Sequence, residues 1–137
     1  MTEIANFAKY KVTGTNAASW LNRLMTNRMP DTGRIVLTPM LNERGKLIGD
    51  FTIAKADENS FYIWGSSAAQ IYHMRWFEQH SEADVYVHRF GQTMVGLSLA
   101  GPLSRAVLQD LCDDDVSNET FKSVSYTHLT LPTIYSV

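Results

Sequence analysis

Asp50 is the acid least easily assigned a purely structural role. It lies in Leu47-Ile-Gly-Asp-Phe-Thr-Ile53, which reads as a strand entered through Asn42-Glu-Arg-Gly45. Side chains alternate across a strand, so Leu47, Phe51 and Ile53 share a packing face with Gly49. Ile48, Asp50, Thr52 and Ala54 take the opposite face. That face presents one acid among small or apolar neighbours, where a carboxylate is costly to desolvate without a partner. A cationic nitrogen on a bound ligand is one such partner; water or a loop amide is the structural alternative. The other candidates carry less. His73 and Arg75 are two apart on an expected helix and do not share a face. His73 and His80 do share one, but no acid spacing completes a zinc set, and a helical histidine is ordinarily a surface residue. Cys112 has no neighbouring base and stands beside Asp113-Asp-Asp115, which disfavours a thiolate. Those three acids lack calcium-loop spacing and read as a solvated helix end. The glycines form no G-x-G-x-x-G ahead of a helix. Trp20, Trp64 and Trp76 suit a core, although Trp64 and Tyr62, beside the Asp50 strand, also suit the wall of a site for a flat aromatic ligand.

The elements that must position these residues follow from periodicity. Phe7 to Thr13 alternates as a half-buried strand. After Gly14, with Thr15 as the expected N-cap, Ala17, Trp20, Leu21, Leu24 and Met25 mark an amphipathic helix ending near Asn27. Arg34 to Leu41 is a strand in which Pro39 favours an edge or a bend. Gly45 is the expected positive-φ residue of the hairpin turn, and Leu47 to Lys55 the return strand. A further strand runs through Phe61-Tyr-Ile-Trp64. Ser67 and Gln70 have capping-box spacing for a helix from Ala68 to about His80, with Ala68, Ile71, Tyr72 and Trp76 as its buried stripe and Phe77 beside it. Strands are expected at Asp84 to Phe90 and Thr93 to Leu99, then a helix from Leu103 to about Leu111 with Pro102 near its start. The order is β-α-β-β-β-α-β-β-α. Short turns favour antiparallel pairing, so the expected fold is α+β: an antiparallel sheet with two to three packed helices.

The 137 residues suit one domain, 45% of them are hydrophobic, and a net charge of −2 with no basic run disfavours nucleic acid as a partner. A single cysteine excludes an internal disulfide. Met94 to Leu103 is too short to span a bilayer, and the N-terminus has no signal-peptide pattern. The chain is therefore expected to be soluble and intracellular. Residues 123–137 carry no charge, include Leu129, Leu131 and Pro132, and resemble translated adapter sequence. The expected organisation is a domain over 1–122 and a non-native tail over 123–137.

Several stretches carry a resemblance: Phe7 to Gly14, Trp20-Leu-Asn-Arg-Leu24, Thr26-Asn27 and Leu37 to Ile53. They resemble the folate-binding aminomethyltransferase family, which includes the glycine-cleavage T-protein. Leu37 to Asn42, Gly45 to Thr52, Gly65-Ser66, Tyr72 to Glu78 and Leu99 to Pro102 are most similar to the C-terminal half of dimethylglycine and sarcosine dehydrogenases. The resemblance covers about residues 3 to 122 and implies the N-terminal part of an aminomethyltransferase folate-binding domain. The T-protein hairpin reads Asn-x-x-Gly-Gly-x-x-Asp-Asp, its second Asp being catalytic. Here Asn42 and Gly45 match, Lys46 replaces the second Gly, and Gly49 and Asp50 stand at the Asp pair. The resemblance thus makes Asp50 the catalytic residue and Leu37, Asn42 and Ser66 the folate-binding positions. Leu37 stands where the family has Tyr, and Ser66 where T-proteins have Asn. Further pterin-gripping residues are expected in the half of the domain that follows.

What this implies is tetrahydrofolate as cofactor, with FAD only in an upstream domain. The FAD part oxidises an N-methyl amine to an iminium, and the folate domain passes the carbon to tetrahydrofolate, giving 5,10-methylenetetrahydrofolate. The implied partners are folate, the N-methyl amine and the remainder of the enzyme chain, in the bacterial cytoplasm or the mitochondrial matrix. The isolated chain is expected to be inactive. Two alternatives stand beside this: a free-standing T-protein, disfavoured by Gly49 in the Asp pair, and a non-catalytic folate-binding module.

Overall fold

The computed structural model describes residues 1–4 and 6–122; the expected tail at 123–137 lies outside them. The elements are β1 (Thr2–Glu3), β2 (Ala8–Thr13), α1 (Ala17–Leu24), β3 (Ile35–Leu41), β4 (Leu47–Asp57) and β5 (Ser60–Gly65), followed by α2 (Gln70–Gln79), β6 (Tyr86–Arg89), β7 (Leu97–Ser98) and α3 (Ser104–Gln109). Five strands form an antiparallel sheet in the order β3-β4-β5-β2-β6. Helices α1 and α2 pack on one face, where Trp20, Leu21 and Phe77 meet Tyr10, Phe51, Phe61 and Ile63 in the core. The aromatic rings there are close: Tyr10 to Phe77 at 5.5 Å and Trp20 to Phe77 at 5.7 Å between centroids. This is the expected α+β architecture.

Strand β3 is an edge, as Pro39 led one to expect. Its outer side is not left open for pairing with another chain. Thr26 N–H donates to the Pro39 carbonyl, Asn27 Nδ2 to the Leu37 carbonyl, and Asn27 N–H to Thr38 Oγ1, at 3.0, 2.7 and 3.1 Å. The chain leaving α1 thereby seals the edge, which is why the helix stops at Leu24 rather than Asn27.

The β3–β4 turn is built by Asn42 and Gly45. Asn42 Oδ1 accepts from the backbone N–H of both Arg44 and Lys46, each at 2.9 Å, and Gly45 takes the expected positive φ, +71°. Just beyond, the register slips: Met40 faces Gly49 while Leu41 faces Leu47. Ile48 is the extra residue of a β-bulge. The slip reverses the expected alternation at this end of the strand. Ile48 is buried at 4% exposure, whereas Leu47, assigned to the packing face, is 62% exposed. From Gly49 onward the phase is as expected, with Phe51 and Ile53 fully buried. Ala54, placed with Asp50 on the outer face, is buried too.

Helix α2 turns a different face inward than its apolar residues suggest. Ile71 and Tyr72 are exposed, and His73 and Phe77 are the buried pair. Neither expected side-chain cap forms: Asn16 and Ala69 occupy the N-cap positions of α1 and α2 without a side-chain cap bond, and Ser67 meets Gln70 through its carbonyl instead. The strand expected over Thr93–Leu99 contracts to Leu97–Ser98. It pairs with Thr2–Glu3 in a separate two-stranded sheet, a partner too short for periodicity to mark. Helix α3 buries none of its own residues. Its side chains tether the loop that follows: Gln109 Nε2 donates to the Asp114 carbonyl at 2.9 Å and Arg105 to the Val116 carbonyl.

Candidate functional site

The face of the sheet away from α1 and α2 carries the site. Strand register sets Leu37, Thr52 and Trp64 side by side across β3, β4 and β5. One step along, Asp50 lies opposite Pro39, and continuing the β4–β5 register brings Ser66 beside it. Leu37, Thr52 and Trp64 from the first row and Asp50 and Ser66 from the second, with Phe7, Gly65 and Ser67, line a cleft of about 380 Å³. Three of the four residues expected at the site, Asp50, Leu37 and Ser66, therefore converge although they lie on three different segments. Asn42 does not join them. Its carboxamide is committed to the hairpin turn, and it borders a separate cleft with Trp76 and His80.

The Asp50 carboxylate is exposed to water, the structural alternative for this acid. Among the described residues it has no hydrogen bond or ion pair, so it remains open to a ligand. The cleft wall is apolar at Leu37, which is 65% exposed, and aromatic at Trp64, whose ring stacks on Tyr62 at 6.1 Å and 28°. Lys11 Nζ sits 5.5 Å from the Tyr62 ring centre on the same face. A flat ring system can lie against Leu37 and Trp64 while its polar edge meets Asp50 and the Ser66 and Ser67 hydroxyls. Cys112 is buried and its thiol donates to the Leu108 carbonyl at 3.2 Å, far from nucleophile geometry. Asp115, read as part of a solvated helix end, caps a turn. Hydrogen bonds from Thr120 and then Ser117 hold its pKa below the ordinary value. Among the described residues no set of three or more His, Cys, Asp or Glu side chains could hold a metal ion.

Behind the cleft, on the helix side, lies a group that periodicity did not expose. His73 is fully buried. Its Nδ1 is 3.1 Å from the Tyr10 hydroxyl, which is itself 3.3 Å from the Gln70 carbonyl. Burial lowers the His73 pKa, opposed more weakly by the Ile48 carbonyl, and burial raises that of Tyr10. The signal available was the four-residue spacing from His73 to Phe77, on a helix where a histidine is ordinarily a surface residue.

A family model described as "GCVT N-terminal domain" matches residues 1–136. The chain belongs to that family. Its fold agrees with a GCVT-type protein of known structure, the glycine cleavage system aminomethyltransferase T from Bartonella henselae, at a TM-score of 0.68 and 18% identity over 79% of this chain and 30% of that one. It is 26% identical to human mitochondrial dimethylglycine dehydrogenase over 125 residues, 89% of this chain and 14% of the relative. It is 27% identical to the aminomethyltransferase of Bacillus subtilis over 117 residues, 84% of this chain and 32% of the relative. Against the sarcosine oxidase alpha subunit of Rhizobium meliloti the figures are 26% over 139 residues, 96% and 14%. The chain thus spans between about a seventh and a third of these relatives' lengths. Among the described residues no helix is long and apolar enough to cross a membrane.

Proposed function

We propose that this GCVT N-terminal domain is the tetrahydrofolate-binding, one-carbon-transfer part of an FAD-dependent amine dehydrogenase acting on an N-methylated glycine. The observation that carries the reading is the exposed Asp50 carboxylate in a cleft with Leu37, Trp64 and Ser66. The dimethylglycine and sarcosine enzymes among its relatives support the substrate class. The amine is oxidised on a different part of the enzyme, in the bacterial cytoplasm or the mitochondrial matrix.

The residues present fit a reduced pterin: an apolar and aromatic wall for the ring, hydroxyls at its edge, and one acid where the reacting nitrogen gains charge. Tetrahydrofolate, when bound, supplies the nucleophilic nitrogen that takes up the carbon and leaves as 5,10-methylenetetrahydrofolate. Asp50 acts where charge develops. A nitrogen that attacks an iminium becomes cationic, and a carboxylate held on a rigid strand stabilises that charge and accepts the proton. Taking up the carbon at two nitrogens releases two N–H protons; the carboxyl returns the first to the departing amine, which takes up the second as well and leaves as its ammonium ion, carrying off the charge the iminium brought. Ser66 donates or accepts at the pterin edge, and Leu37 excludes water from one side. Asn42 serves the site indirectly, by shaping the turn that leads into β4.

Titrating folinic acid into the intact protein and following Trp64 fluorescence tests the reading. Saturable quenching is expected, and Asp50→Ala should change the affinity little, because the acid acts on transfer. Absence of saturable binding in the intact protein would contradict the assignment.

A further inference from the structure

The floor of the cleft is a single strand thick, and what lies beneath it is His73. Asp50 sits between Gly49 and Phe51, whose inward sides both meet the buried imidazole. A Cβ at Gly49 would come 2.5 Å from Phe51 Cζ and 2.7 Å from His73 Nε2. The Phe51 and His73 rings meet edge to face, 4.6 Å apart at 63°. The same phenyl ring fills the space left by Gly65, where a Cβ would come 2.7 Å from it and 3.5 Å from His73 Cε1. Gly65 lies between Trp64 and Ser66. Two of the three strands that carry the cleft, β4 and β5, therefore rest on one pair of rings.

Packing alone does not account for a histidine here. Its Nε2 is buried without a hydrogen bond of normal geometry, a penalty that phenylalanine or leucine would avoid. What Nε2 faces is Gly49, next to the bulge residue Ile48. With the Tyr10 hydroxyl donating to the Gln70 carbonyl, Nδ1 carries the proton of the neutral ring and donates to Tyr10, and Nε2 turns its lone pair toward the bulge. We propose that His73 is a positioning residue for Asp50, its ring against Phe51 and its Nε2 against the Ile48–Gly49 bulge fixing the direction of the carboxylate into the cleft. The inference rests on the transfer role given to Asp50 above. Histidine at 73 ties the bulge to helix α2 and, through Tyr10, to the interior strand β2. A rigid second layer of this kind is what holds a reacting group within the small tolerance that transfer demands.

Three variants of the intact protein test this: His73→Phe, His73→Gln and Asp50→Asn. His73→Phe keeps ring volume and removes both nitrogens. It is expected to retain the melting temperature and the affinity for folinic acid while lowering kcat for transfer by about a hundredfold, the scale of a small misplacement of a catalytic group. His73→Gln, whose amide can reach the bulge, should restore part of that loss. In 13C spectra the Asp50 carboxyl resonance should move in His73→Phe and return toward the wild-type position in His73→Gln. A purely structural role would lower melting temperature and folinic acid affinity together. That pattern, an unchanged kcat in His73→Phe, or failure of both His73 variants to fold would overturn the proposal. Asp50→Asn separates the two claims. Loss of transfer in Asp50→Asn with full kcat in His73→Phe defeats positioning alone, whereas transfer surviving Asp50→Asn defeats the functional reading and this inference with it.

Discussion

Asp50, Leu37 and Ser66 reach one cleft because strand alternation and antiparallel register bring them there, and both are written in the sequence as spacing. Trp64 belongs to the same rows, and its indole is the largest flat surface the cleft offers a ligand. Trp64→Leu should weaken folinic acid binding about tenfold, corresponding to the ~1–1.5 kcal/mol typical of a stacked aromatic pair, with little effect on folding; isothermal titration would show it. His73 was not legible for a physical reason. Its residue type predicts a solvated helix face, and only the tertiary contacts with Tyr10 and Phe51 make burial of an imidazole tolerable. Asn42 shows the opposite limit: its place in the hairpin was legible, but its backbone hydrogen bonds leave its side chain no freedom to reach the cleft.

At the scale of elements, the bulge at Ile48 decides which side chains of β4 are core. Ile48→Ala should cost about 2–4 kcal/mol of stability, as for other large-to-small changes at buried sites. Leu47→Ser, at an exposed position, should stay within about 0.5 kcal/mol. Chemical denaturation of both variants checks the assignment, and equal effects would contradict the bulge. Asn42→Ala strips an acceptor from the Arg44 and Lys46 amides and should cost about 1–2 kcal/mol. The strands and helices themselves were legible from hydrophobic period, turn glycines and Pro39. The bulge was not, since Leu47 and Ile48 are both apolar and either could continue the inward face, so the change of phase does not show in the residue types. The inward face of α2 was also misread, because Ile71 and Tyr72 outscore His73 in hydrophobicity yet point away from the sheet.

At the scale of the molecule, the buried His73 links stability to pH. Its folded pKa lies below the ordinary 6.5, so between the two values the unfolded chain binds more protons. Its contribution is therefore full above about pH 6.5 and is lost as pH falls through the lowered folded value. The melting temperature should drop on acidification below pH 6.5, and His73→Phe should flatten that drop; an identical slope in the variant would contradict the burial of a neutral imidazole. The sheet, its helices and the open face carrying the cleft were legible as an antiparallel α+β domain. The pairing of β1 with β7 was not, being a two-residue contact between distant ends. The central claim concerns Asp50, and the most direct measurement is single-turnover transfer of the one-carbon unit to tetrahydrofolate in the intact protein, wild type against Asp50→Asn. A fall of about a hundredfold or more, within the usual range for a lost acid–base group, with folinic acid affinity unchanged, is the predicted result. Transfer at the wild-type rate would contradict it.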